Sequence, residues 1–238
     1  VLPVAIGLLC YPAMRGIGAA GINFVLAITV GLLAFLLVDM SQEALEMSAA
    51  SAALFQGPLL VLLAGTASFV LLMAIGRWRG APAGLALSFY IALGIGLHNS
   101  GEGLAIGAAF AAGSAGFGTF LVLGFAMHNL TEGIGIAAPI LKARPPLWSF
   151  AALTLLAGGP AVVGLWIGSL AYAPLWIALF LGIGEGAIVQ VIVEVTLYMT
   201  RTGNSRGTLL SIPVIAGFLL GVAFMYVTAA VIKIKSIR

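Results

Sequence analysis

The chain is short of charge, of histidine and of cysteine. Its 238 residues include ten basic and seven acidic side chains, two histidines and one cysteine, so only 7% are charged. A soluble domain carries about 25% charged residues, so composition argues against a water-soluble globule. It also argues against a nucleic-acid binder, because the basic residues stand singly or in pairs and build no patch of useful size. The lone Cys10 excludes an internal disulfide and is read as a packing residue. No G-x-x-x-x-G-K-[ST] phosphate loop is present, so ATP does not drive this chain through that device. No charged segment precedes the first apolar run. Val1 to Pro12 therefore reads as the remnant of a first membrane span rather than a signal peptide.

Apolar sequence fills the space that charge leaves. Hydrophobic residues make up 62% of the chain and the mean hydropathy is +1.21. Apolar runs reach the ~20 residues that cross a bilayer as helix. They lack the short apolar–polar alternation of a transmembrane barrel. The expected fold is an all-α membrane protein: one polytopic domain over residues 1–238, an eight-helix transmembrane bundle with its first helix truncated. Spans are placed at 1–12, 18–42, 57–76, 85–112, 117–141, 147–171, 175–200 and 208–232. Glycine and proline punctuate the gaps between them: Pro12, Gly57-Pro58, Gly80 to Pro82, Gly113 to Gly116, Pro145-Pro146, Pro174, and Gly203 to Gly207.

The two signs of charge are segregated. Arg15, Arg77, Arg79, Lys142, Arg144, Arg201 and Arg206 fall in the odd-numbered loops, and only the tail residues Lys233, Lys235 and Arg238 fall on the other side. The positive-inside rule then puts the odd loops in the cytoplasm and both termini outside a cell membrane. Trp78 and Trp148 beside the basic loops fit an interfacial belt. All seven acids lie within spans or at their outer extensions. Acids lining a bundle suggest a path for cations.

Two stretches are near copies. His98-Asn99-Ser100-Gly101-Glu102-Gly103 and His128-Asn129-Leu130-Thr131-Glu132-Gly133 both read H-N-x-x-E-G, and they hold the only histidines in the chain. Ionisable groups inside a membrane are costly and mark function. At i and i+4 each histidine shares a helical face with its glutamate, and each asparagine lies about 100° around the helix. Two such helices joined antiparallel by a short loop can converge all six side chains at mid-membrane. Imidazole with carboxylate and amide oxygen is a donor set for a divalent first-row metal, and glutamates shared between helices can bridge a metal pair. A lone membrane histidine commonly just bonds helix to helix. Two complete copies favour a metal site.

On these motifs, in the fourth and fifth of eight spans, the chain resembles the ZIP (Zrt/Irt-like) family of divalent metal transporters, and more narrowly its GufA-like prokaryotic branch. The resemblance implies an eight-helix bundle with inverted-repeat symmetry, both termini outside, and a mid-membrane metal site, often binuclear. It implies His98, Asn99, Glu102, His128, Asn129 and Glu132 as metal ligands. It also brings in Asp39 as a ligand from the second span and Glu194 as an acid toward the cytoplasmic exit. Zinc is the expected substrate, with iron, manganese and cadmium as further candidates and no prosthetic group. The expected partners are the bilayer and the metal, with a homodimer as the candidate assembly and no nucleic acid.

Asp39, Glu43 and Glu46 also fall along one helical face near the outer end, where they could concentrate cations. Gln190 shares a face with Glu194, whereas Glu185, nine residues before Glu194, points the opposite way and has no assigned role. Two departures from the family stand out. Relatives often place Glu-Pro in the sixth span, where this chain has Gly158-Gly159-Pro160, so a second metal position lacks a carboxylate. The loop from Arg77 to Ala83 is too short to hold the histidine-rich segment seen in many relatives. The competing class is an intramembrane metalloenzyme. It would need a water-activating position and a substrate cleft, and the H-E-x-x-H protease motif is absent. The chain is expected not to be an enzyme.

Overall fold

A computed structural model of the chain describes residues 1–49, 56–78, 80–170, 174–202 and 206–236. Among the described residues all regular structure is helical. The elements in chain order are α1 (Leu2–Leu9, prolonged by the turn Tyr11–Met14), α2 (Ala19–Ala49), α3 (Gly57–Arg77), α4 (Gly84–Ala111), α5 (Ala115–Ala137), α6 (Leu147–Leu170), α7 (Pro174–Thr202) and α8 (Ile212–Ser236). Short 3-10 turns at Ala138–Ile140 and Arg206–Leu210 lead out of α5 and into α8.

Six of these helices (α2, α3, α5, α6, α7 and α8) are long and apolar enough to cross a membrane. At 28 residues α4 is long enough, but its polar run around His98 and Glu102 keeps it out of that set. Its position accounts for that composition. Leu87, Ser88, Ile91, Ile95, His98, Asn99, Glu102 and Leu104 are all buried along it, so other helices rather than lipid surround α4. The remaining helices present large apolar side chains outward, among them Leu62, Leu71, Leu155, Val163, Leu219 and Val227. That is the arrangement a hydrocarbon solvent favours.

Helix pairs are knitted by glycine. Lipid tails supply no hydrophobic drive between spans, so close backbone approach must hold them together. On α4, a Cβ at Gly96, Gly103 or Gly107 would strike the carbonyls of Leu156, Ala161 and Leu165 on α6. From the other side Gly164 and Gly168 meet the carbonyls of Ser100 and Leu104. Contact numbers rise together along both helices, so the pair runs parallel. The same rule joins α1 to α6's neighbour α5 (Gly7 with Gly133), α3 to α7 (Gly65 with Gly186) and α2 to α8 (Gly31 with Phe218, Gly221 with Ile28).

Side-chain hydroxyls add to this. Ser68 donates to the Ile183 carbonyl at 2.9 Å, Ser88 to Ile136 at 2.7 Å and Tyr198 to Ala138 at 3.1 Å. In hydrocarbon such bonds satisfy groups that have no water to turn to.

Helices lie at the expected places, six of them candidate spans, and the last begins at Ile212 after a 3-10 turn rather than at 208. The second helix runs on to Ala49, so Asp39, Glu43 and Glu46 lie within a helix rather than at its end. The fifth ends at Ala137 and tightens into 3-10 geometry at Ala138–Ile140, where Pro139 supplies no N–H to continue the ladder.

Candidate metal centre

The site is built by the α4–α5 hairpin. After Ala111 the chain turns at once: Gly113 has φ +75°, a left-handed conformation that favours glycine, and the Gly113 and Ser114 amides bond back to Phe110 and Ala109, each at 3.0 Å. The two helices leave this turn antiparallel. Because each carries histidine and glutamate at i and i+4, reversal of direction sets the histidine of one level with the glutamate of the other. His128 Nε2 therefore sits 2.5 Å from Glu102 Oε1, and His98 Nε2 lies 4.0 Å from Glu132 Oε1. Within α4 itself His98 Nε2 is 3.1 Å from the same Glu102 Oε1, so one carboxylate oxygen stands between the two imidazoles. Ring centroids of His98 and His128 are 6.3 Å apart.

All six motif side chains are buried, from 0% exposed for His98 and Asn99 to 9% for Asn129. The asparagines form the frame. Asn129 Nδ2 donates to Glu102 Oε2 at 3.1 Å and to the Phe125 carbonyl at 2.8 Å, while its Oδ1 accepts from Asn99 Nδ2 at 2.9 Å. Asn99 Nδ2 also donates to the Ala157 carbonyl of α6 at 3.0 Å. Glu102 is thereby fixed by a partner at each oxygen.

Most of the buried polar atoms left open among the described residues belong to this cluster, the others being on Ser149, Glu185, Gln190 and Glu194. Among the described residues, both oxygens of Glu132, Nδ1 of His98 and Oδ1 of Asn99 make no hydrogen bond, and His98 Nε2 has only the Glu102 oxygen beside it. Buried polar groups are nearly always paired, and an exception in a native structure needs a reason. Donor atoms of His98, His128 and Glu132 all lie within 4.8 Å of one another, the only group of three or more metal-type ligands among the described residues. Two neutral imidazoles and a carboxylate at this spacing could hold a divalent cation, which would satisfy the open valences.

Other expected ligands stand elsewhere. Asp39 is exposed on α2 and is not part of the cluster. Its neighbour Met40 is the residue of α2 that reaches in, with Cε beside Gly101 and Gly184. Glu194 is buried on α7 and pairs with Arg77 of α3 at 3.3 Å, so the structure does not bring it to the histidines. On α6 the group that meets the site is the Ala157 carbonyl, whereas a Cβ on Gly159 would meet no atom within 4 Å. Sequence reading did not identify Ala157, because a backbone carbonyl leaves no mark in residue type. It did not pair Arg77 with Glu194 either, because the two are 117 positions apart.

No protein-family model and no curated protein matches the chain. Its function must therefore be read from the residues and their geometry.

Proposed function

We propose that this chain transports a divalent transition metal, zinc before iron, manganese or cadmium, across a cell membrane toward the cytoplasm, with His98, His128 and Glu132 as the first ligands. The observation that carries the reading is the buried cluster itself: imidazole nitrogens and carboxylate oxygens within 4.8 Å of one another, inside a bundle of long apolar helices. The duplicated H-N-x-x-E-G motif and its resemblance to ZIP transporters support it. The same resemblance supports inverted-repeat symmetry and a homodimer, and the segregation of basic loops supports both termini lying outside.

The geometry suggests how the ion is received. His128 Nε2 and Glu102 Oε1 stand 2.5 Å apart, so the imidazole nitrogen a dication needs already faces a carboxylate. A dication held by Glu132 and His98 would compete with Glu102 for that nitrogen, which must be unprotonated to ligate. Glu102, freed from the imidazoles at Oε1 and still held by Asn129 at Oε2, becomes the second carboxylate. Asn99 Oδ1 adds a neutral oxygen toward an adjoining, weaker position. Asn129 is fully engaged and orients Glu102 rather than ligating. An intramembrane hydrolase would need a cleft beside the metal for its substrate, and the enclosure of all six side chains gives that reading no support.

Uptake of radioactive zinc into sealed proteoliposomes tests the proposal. Saturable uptake by the wild type that disappears in His98→Ala and His128→Ala is the expected outcome. Uptake no greater than in empty liposomes, from protein shown to be folded, would overturn it.

A further inference from the structure

Arg77 and Arg201 lie at one end of the bundle, beside the loop that holds Pro82. There Arg201 Nη1 reaches the Pro82 carbonyl at 3.5 Å, and Tyr90 donates to Ile75 at 2.9 Å. Between this end and the metal cluster lies a polar step on α7. Gln190 and Glu194, one turn apart, are each only 2% exposed, and among the described residues Gln190 Oε1 and Glu194 Oε2 have no hydrogen-bond partner. Gln190 Oε1 lies against Gly94, which is one helical turn from His98 on α4. The other oxygen of Glu194 is held by Arg77, a side chain 40% exposed at the last turn of α3.

The α3–α7 pair explains why this contact is special. Toward the far end the two helices are joined by the glycine contacts of Val61, Gly65, Gly182 and Gly186 and by the Ser68–Ile183 bond. Arg77 lies nine residues beyond Ser68, about 14 Å along the helix, and the Arg77–Glu194 pair is the polar contact between α3 and α7 at that end. A buried carboxylate held through a single oxygen by a partly exposed arginine recovers little of its desolvation cost, so the pair is a join that can be traded for another.

We propose that the Arg77–Glu194 ion pair is a latch that closes the basic-loop end of the bundle, and that a dication descending from the cluster to Gln190 and Glu194 opens it by displacing the guanidinium. This rests on the transport reading. Arg77 is already partly exposed, so release carries it into water and headgroups at small cost. With no cation below the cluster, the pair stays shut and the path stays sealed.

Cysteine accessibility tests the latch without zinc and without any assumption about sidedness. Ile91, 1% exposed, continues the Gly94 face of α4 toward the basic-loop end. Ile91→Cys is made in a Cys10→Ser background, placed in nanodiscs that leave both faces open, and labelled with a charged thiol reagent. Leu104→Cys, buried at 2% beyond the cluster, is the control.

Arg77→Gln should raise the Ile91→Cys labelling rate about tenfold, the factor that about 1.4 kcal/mol makes in an opening equilibrium. Leu104→Cys should stay protected, and Arg77→Lys should restore protection at Ile91→Cys. Should Arg77→Gln fail to fold, Glu194→Gln breaks the same pair and must give the same result. An unchanged Ile91→Cys rate, or an equal rise at Leu104→Cys, would overturn the latch. Zinc affinity at the cluster, measured separately on Arg77→Gln, should match the wild type, so failure of the metal reading and failure of the latch show in different experiments.

Discussion

Replacing Asn129 by leucine should weaken zinc binding although Asn129 gives the ion no ligand of its own. Its amide nitrogen holds Glu102 Oε2 at 3.1 Å while the other oxygen of that carboxylate faces both histidines. Leucine has nearly the same bulk and no donor, so the pocket stays filled and Glu102 becomes free to rotate away. A hydrogen bond to a charged group is worth about 1.5–3 kcal/mol. Passed wholly to the metal, that is a loss of about 10- to 150-fold in affinity, the range in which outer-sphere partners of metal ligands usually fall, about 10- to 100-fold. Asn99 keeps its bond to Ala157, so the helix contact with α6 should persist and the fold with it. Titration calorimetry on purified protein gives both affinity and stoichiometry. The stoichiometry of the tight position should not change. An affinity within about threefold of wild type, a difference under about 0.7 kcal/mol, would refute the role given to Asn129.

Three further outcomes are expected. Zinc affinity should fall as the medium is acidified, because protonated imidazole cannot ligate a metal; equal affinity at about pH 5 and about pH 8 would contradict it. Gly103→Ala should lower thermal stability, since its Cβ would lie 2.7 Å from Ala161 C and 2.9 Å from its Cα, an overpacking cost of about 1–3 kcal/mol; Gly159→Ala, with no atom within 4 Å of the new Cβ, should leave it unchanged or higher. A cysteine placed at Arg144 in the Cys10→Ser background should resist an impermeant thiol reagent applied to intact cells; reaction from outside would reverse the orientation.

What could be read from sequence was whatever residue type and spacing encode locally. Apolar runs bounded by glycine and proline located the helices to within a few residues. The exception was α2, where Glu43 and Glu46 ended the apolar run but not the helix: polarity stops a membrane span and has no such effect on backbone hydrogen bonding. The paired motifs located the cluster, because a lone buried histidine is ambiguous whereas two copies of one His/Asn/Glu set point to a shared site. The spacing put His98 with Glu102, which the structure keeps at 3.1 Å, but the contact of His128 with Glu102 depends on the register of the hairpin, which the spacing does not set. Contacts between distant positions were not legible. Arg77 reaches Glu194 because α3 and α7 pack through Gly65 and Gly186, and nothing local to either residue announces that. Asp39, expected as a ligand from α2, is exposed, whereas its neighbour Met40 faces the bundle.

X-ray absorption on the zinc-loaded protein tests the central claim most directly. Two imidazoles with carboxylate oxygen at about 2.0–2.2 Å from the ion, with the imidazole signal lost in the His98→Ala/His128→Ala double variant, is the result this account predicts. A zinc shell without imidazole, or one that the double variant leaves unaltered, would contradict it.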